Sequence, residues 1–183
     1  MFIKIKELEL RKIVFDENFA PGTIDLGEDI RQKTPVHAGG RAELIRENRG
    51  AKETVEDIRL VGNLSTQVEL HCARCLEPVE RTVNESFDLL YRPQGVDRRG
   101  DEASISRAET EIGYYQGEGV LLEDVLKEQI LLALPVKQIC RTDCKGLCPQ
   151  CGSNLNVESC DCETTMSDPR WAALEDIRKK LER

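Results

Sequence analysis

Leu64-Ser65-Thr66-Gln67-Val68-Glu69-Leu70-His71-Cys72-Ala73-Arg74-Cys75-Leu76-Glu77-Pro78-Val79 changes character twice within sixteen positions. Leu64, Thr66, Val68 and Leu70 fall on one side and Ser65, Gln67 and Glu69 on the other, the period of two that a half-buried strand requires. After the short stretch around Cys72 and Cys75, Val79, Val83, Phe87 and Leu89 resume the alternation. Two such runs joined by a compact polar link predict an antiparallel hairpin with His71 to Pro78 at its tip.

The thiol pair at that tip gives the hairpin its meaning. Thiolates two or three residues apart turn toward one point, and two such pairs make the four-sulfur tetrahedron that structural zinc prefers. The remaining cysteines are Cys140, Cys144, Cys148, Cys151, Cys160 and Cys162. Cys148-Pro149-Gln150-Cys151-Gly152 reads as a turn that Cys160-Asp161-Cys162 can close locally. Cys140 and Cys144 then form a half-site whose partners are Cys72 and Cys75, so that metal would clip distant parts of the chain together. Exchange of Cys144 or Cys160 between the two sites stays open. Eight thiols thus predict two structural zinc ions. Disulfides are the competing reading of paired cysteines, but they belong to oxidising compartments. Met1 to Leu10 alternates apolar and charged residues and lacks a signal-peptide core, and no run approaches a membrane span, so a cytoplasmic protein is expected.

A chain of 183 residues with 39% hydrophobic content can bury one core with a small metal-supported appendage. Aromatic residues make up 4%, with Trp171 the single tryptophan, which predicts an aliphatic core and few stacking platforms for bases. The net charge of −8 opposes non-specific attraction to a polyphosphate, so any RNA contact must be local or made through a partner protein.

Phe2 to Phe19 offers short alternating runs ended by Pro21-Gly22, consistent with a first strand pair. Gly39-Gly40 to Gly50 is polar, and periodicity leaves Ala42 to Ile45 open between strand and loop. Pro93 to Arg107 reads as a loop. From Val120 an amphipathic helix is expected: Leu121, Leu122, Val125, Leu126, Gln129, Ile130 and Ala133 form its stripe, Glu123, Asp124, Lys127 and Glu128 face water, and Pro135 ends it. Asp168-Pro169 opens a closing helix with Trp171, Leu174, Ile177 and Leu181 at helical spacing. The expected fold is α+β, with an antiparallel sheet and packing helix over residues 1–135 and a cysteine-rich segment with its closing helix over 136–183.

Chemistry other than metal binding has little to work with. His71 beside the first thiol pair reads as a surface imidazole, and His37 carries no signal. Gly117-Glu118-Gly119 lacks the lysine and preceding strand of a nucleotide loop. Four-sulfur zinc sites are closed, with no position for an activated water, and no small-molecule substrate is indicated. The sequence therefore predicts a protein that is not an enzyme.

His71 to Pro78, then Leu121 to Pro135 running into Cys140, then Cys144-Lys145-Gly146-Leu147-Cys148-Pro149-Gln150-Cys151-Gly152-Ser153-Asn154-Leu155-Asn156, and finally Asp168 to Leu174 together resemble the YceD family, linked to accumulation of large-subunit ribosomal RNA. The likeness covers the chain from Leu64 onward; Met1 to Gly62 matches only in length and extended character. It implies a role in synthesis, processing or stability of the 23S RNA without a catalytic reaction. Relatives of this kind that lack the later cysteines carry histidines near the positions of Cys140 and Cys144, an exchange zinc tolerates. The Cys148 to Cys162 site is on that comparison accessory to the shared role.

The expected partner is precursor large-subunit RNA or an early large-subunit protein. Candidate RNA contacts are Arg74, Lys137, Arg141 and Lys145 around the thiols, and Arg170, Arg178, Lys179 and Lys180 near the end, since clustered cations supply the phosphate part of RNA affinity. Two other readings stand beside this one: an adaptor whose acidic face engages a basic ribosomal protein, and a thiol redox sensor.

Overall fold

The computed structural model describes residues 1–48, 54–96 and 112–162. In chain order the elements are β1 (Phe2–Lys4), α1 (Ile5–Leu8), β2 (Ile13–Phe19), β3 (Ile30–Gln32), β4 (Val36–Asn48) and β5 (Thr54–His71). There follow β6 (Pro78–Pro93), β7 (Ile112–Tyr115), β8 (Gly119–Leu121) and α2 (Leu122–Ala133). Strands β2, β4, β5, β6 and β7 lie side by side in that order, and β3 pairs with β5 beyond the end of β4. β1 and β8 form a separate two-stranded ribbon.

The alternation of Leu64 to Leu70 translates directly into burial. Leu64, Thr66 and Val68 are buried, as are Val83 and Phe87 on β6. β5 and β6 pair antiparallel from Ile58↔Tyr91 to His71↔Pro78, which carries the strand pair far beyond the residues whose periodicity announces it. The sheet is mixed, where an antiparallel one is expected: β7 runs parallel to β6, Leu90 opposite Ile112. A four-residue strand with two glycine-or-isoleucine positions and two tyrosines offers too short a pattern to reveal its direction.

Residues Ala42 to Ile45, left open between strand and loop by periodicity, lie within β4, and so does the glycine pair Gly39-Gly40. The reason is one row across four strands: Phe15, Gly40, Gly62 and Phe87 stand opposite one another in register. A Cβ on Gly40 would lie 2.4 Å from the Val61 carbonyl oxygen and 2.8 Å from the tip of the Phe15 ring, and one on Gly62 would lie 3.0 Å from the Phe87 ring. The two rings take the volume that side chains on the central strands would fill. Glycine is here a packing requirement, in a strand whose local preference opposes it.

α2 covers this core with Leu122, Val125, Leu126 and Ile130 fully buried. It starts later than the periodicity predicts. Leu121 closes β8, partly exposed, and the Leu122 N–H donates to the Met1 carbonyl, so pairing with β1 outcompetes the first helical turn. Glu123, expected to face water, is half-buried, drawn in against the Met1 ammonium. On the other face of the sheet Arg92, buried, donates through Nε and Nη2 to the Asp57 carboxylate at 3.1 and 2.8 Å, and Nη2 also meets Glu47. Most of the expected loop at Pro93 to Arg107 and the helix opened by Asp168 lie outside the described residues.

The glycine row sets a test. Gly40→Ala should lower stability by about 1–3 kcal/mol through overpacking, read as a shift of the urea midpoint. Gly39→Ala, whose Cβ would meet nothing closer than 3.9 Å, should leave the midpoint nearly unchanged. Equal effects at both positions would refute the packing role of the row.

Candidate metal centre

The chain turns between β5 and β6 over Cys72 to Glu77. The Cys72 N–H donates to the Glu77 carbonyl and the Leu76 N–H to the Cys72 carbonyl, both at 2.9 Å. Leu76 takes the left-handed conformation, φ 60°, to make the closure. The second turn repeats this geometry residue for residue. The Cys148 N–H donates to the Ser153 carbonyl at 2.8 Å and the Gly152 N–H to the Cys148 carbonyl at 2.9 Å, with Gly152 at φ 78°. In both turns the hydrogen bonds fold the backbone so that the two thiols of the pair point the same way.

Cys140 and Cys144 reach the hairpin tip through Gln138. Its carbonyl accepts the Ala73 N–H at 2.7 Å and its Oε1 accepts from Arg81 Nε at 2.9 Å, which docks the segment after α2 onto β6. Arg74 completes the seam: its Nη1 donates to the Cys144 carbonyl at 2.9 Å, and its own carbonyl accepts the Leu147 N–H at 3.0 Å. Gly146, at φ 79°, lies directly over that carbonyl, where a Cβ would sit 3.0 Å from the oxygen.

The sulfurs of Cys72, Cys75, Cys140 and Cys144 lie within 4.8 Å of one another, and those of Cys148, Cys151, Cys160 and Cys162 form a second such group. All eight cysteines are free. Cys72 and Cys144 Sγ are 3.9 Å apart and Cys75 and Cys140 Sγ 3.7 Å apart. A disulfide needs about 2.05 Å. Four sulfurs about 2.3 Å from a central zinc stand about 3.8 Å apart at the corners of a tetrahedron, so the donor set fits that ion in both chemistry and spacing. The Cys72 sulfur also accepts N–H groups from Arg74 at 3.5 Å and Cys140 at 3.4 Å, the bonds a thiolate needs when it leaves water.

Within each group the thiols titrate apart. The backbone N–H of Cys75 leads in drawing Cys72 down to about 6, against the cost of lost solvation. Lost solvation and then the neighbouring thiols push Cys140 up to about 12. In the second group the Ser153 hydroxyl and N–H draw Cys151 down to about 6, while the adjacent Cys151 thiol, followed by lost solvation, pushes Cys162 up to about 12. One stabilised thiolate thus holds a proton on its neighbour. A dication shared among four sulfurs removes that repulsion by displacing the protons, and its affinity must fall as pH falls.

The first group is the more enclosed: Cys72, Cys75 and Cys144 are buried among Val79, Ile139 and Leu147, and Cys140 is exposed. The second is more open, with Cys148 buried and Cys151 exposed. Among the expected RNA contacts, Arg74 and Arg141 have guanidinium groups engaged by the fold, Arg141 Nη2 donating to Asn156 Oδ1 at 2.9 Å. Lys137 and Lys145 are exposed beside them. Arg170, Arg178, Lys179 and Lys180 lie outside the described residues. His71 is exposed at the end of β5 and outside the thiol groups. Gln138, Asn154 and Asn156 escape a reading by ligand type, because amide side chains are not among the usual zinc ligands; their signal is only their place beside and between the cysteines.

The family described as Large ribosomal RNA subunit accumulation protein YceD matches residues 60–178. An uncharacterized protein of Mycobacterium tuberculosis is 33% identical over 172 residues, covering 85% of this chain and 80% of its own length. The Uncharacterized protein YlbN of Bacillus subtilis is 27% identical and covers 97% of this chain and 94% of its own. The chloroplastic Large ribosomal RNA subunit accumulation protein YCED homolog 1 of Arabidopsis thaliana is 23% identical over 85% of this chain and 52% of its own length. No solved structure matches the chain.

The repeated turn predicts an asymmetry between its two copies. A left-handed leucine costs about 1–2 kcal/mol and glycine in its place costs about 0.5–1 kcal/mol in chain entropy. Leu76→Gly should therefore raise stability by about 0.5–1 kcal/mol, measured by thermal unfolding with metal present. A drop in melting temperature would show that the Leu76 side chain, 60% exposed, does more than occupy the turn.

Proposed function

The chain belongs to the YceD family, and from that premise we propose that it is a non-enzymatic assembly factor supporting accumulation of large-subunit ribosomal RNA, with two structural zinc ions. The observation that carries this reading is the family match over residues 60–178, which takes in both thiol groups and most of the hairpin that presents the first. Its relatives of known name are called RNA accumulation proteins, and the names specify no reaction.

In this reading each zinc is held by four sulfurs, Cys72, Cys75, Cys140 and Cys144 at one site and Cys148, Cys151, Cys160 and Cys162 at the other. Bound there, zinc supplies structure by fixing the end of the long hairpin to the segment after α2. The chain's own residues then offer a local cationic face, Lys137 and Lys145 with Arg74 and Arg141, on an otherwise acidic molecule of net charge −8. Arg170, Arg178, Lys179 and Lys180 are further candidate contacts, read from the sequence alone. Such a face makes short-range contact with RNA while the overall charge rejects non-specific binding. No helix among the described residues is long and apolar enough to cross a membrane, and we place the protein's work in the cytoplasm. The same net charge favours a second reading, an adaptor for a basic large-subunit protein.

Three measurements separate the alternatives. Purified protein should carry about two zinc per chain with few titratable thiols; free, low-pKa thiols without metal would favour a redox sensor. Association with precursor particles should be lost on nuclease treatment, whereas retention of one basic protein would favour the adaptor. Lys137→Glu with Lys145→Glu should weaken binding to precursor RNA and shrink the salt slope by about 1.5 to 2, because two phosphates would no longer be neutralised. An unchanged slope would take both lysines out of the interface.

A further inference from the structure

We infer that Asn156, carried on the loop that closes the second thiol group, is a positioning residue for the first, so that metal binding at the two groups is mutually reinforcing. This rests on the reading that both groups hold zinc.

The loop between Cys151 and Cys160 turns back on the first site. Leu147 and Asn154 form an isolated bridge, and the Leu155 N–H donates to the Gly146 carbonyl at 2.9 Å. Asn156 is thereby laid against Cys144. Its Oδ1 accepts the Lys145 backbone N–H at 2.8 Å and Arg141 Nη2 at 2.9 Å. Only an oxygen can accept those donors, so the amide orientation is fixed and Nδ2 must face the other way. There it donates to Cys144 Sγ at 3.3 Å and to Asn154 Oδ1 at 2.9 Å. Asn154 in turn accepts the Asn156 N–H at 3.0 Å and donates to Glu77 Oε1 at 3.3 Å, on the hairpin tip itself.

The amide pair therefore bridges three pieces: the first turn, the ligand Cys144, and the loop whose far end is Cys160. The Val157 and Glu158 N–H groups both donate to the Asn154 carbonyl, forming the tight turn that leads into Cys160. Closing the second site on Cys160 and Cys162 restrains that turn, and the restrained turn presents a donor to a sulfur of the first. A donor to a ligating thiolate stabilises its charge and its direction, and loss of such a partner changes metal affinity by about 10- to 100-fold. Coupling of this kind is reciprocal: whatever the second metal gives the first, the first returns.

The test uses the full chain loaded with zinc, exposed to increasing EDTA and trapped with iodoacetamide, with alkylation read peptide by peptide. Cys72 and Cys75 report the first site; Cys148 and Cys151 report the second. Asn156→Asp keeps the acceptor and volume but loses the donor, and Asn156→Ala loses the donor without adding charge. Both should release Cys72 and Cys75 at an EDTA concentration lowered by about tenfold or more. Cys160→Ser with Cys162→Ser should do the same, and adding Asn156→Ala to that pair should produce little further loss, because the loop is already free. Protection of Cys72 and Cys75 unchanged to within about twofold in the Asn156 variants, or fully additive losses in the combined variant, would overturn the coupling while two bound zinc ions left the proposed function standing. Absence of zinc from the wild-type chain would sink both.

Discussion

Four sulfur atoms from segments as far apart as 72 positions must meet within 4.8 Å, and the geometry of this end of the molecule follows from that demand. Thiolates so close repel unless a cation lies among them, so the fold has to bring them together by other means, and a metal bound there would hold what it has brought. Backbone hydrogen bonds do the first part. Glu77 and Cys72 close the hairpin tip, the Gln138 carbonyl catches Ala73, and the Arg74 carbonyl catches Leu147. Each bond is between main-chain groups or to one, so the site tolerates variation in side chains that are not ligands, while depending strictly on turn conformation at Leu76, Gly146 and Gly152.

The long hairpin is the arm on which the first site is mounted. β5 and β6 are 18 and 16 residues long, and a strand pair of that length would twist and bend without support. Support comes from β4 along one half, β3 along the other, and α2 packed on β6. The row Phe15, Gly40, Gly62, Phe87 shows how closely the sheet is filled: two rings lie where two side chains are missing, and neither the aromatic nor the glycine makes sense alone. A metal held by the tip cysteines would fix a part of the arm that these layers do not reach.

A family known for large ribosomal RNA accumulation gives this arrangement a use. A closed four-sulfur site would offer no vacant coordination position, and its contribution would then be the shape and charge of the surface it orders. Two arginines beside the thiols are already committed to the fold. Arg74 and Arg141 are thus structural as well as charged, which separates them from Lys137 and Lys145 in what their loss would mean.

Residue spacing by itself determined the hairpin, its buried face, the character of the eight cysteines as metal-type thiols and the apolar stripe of α2, because each is a local periodicity or a local choice of ligand chemistry. The family resemblance was legible for the same reason: it is written in short runs around those thiols. Tertiary structure alone decided the rest. Gly40 sits in a strand because Phe15 fills the space above it, Leu121 left the helix because β1 offered it a partner, and the parallel edge strand had too few residues to declare itself. Asn154 and Asn156 gained their place by touching a cysteine and a glutamate that no spacing rule connects to them. Contacts between residues distant in sequence are set by the summed packing of the whole chain, and that is information a local pattern does not hold.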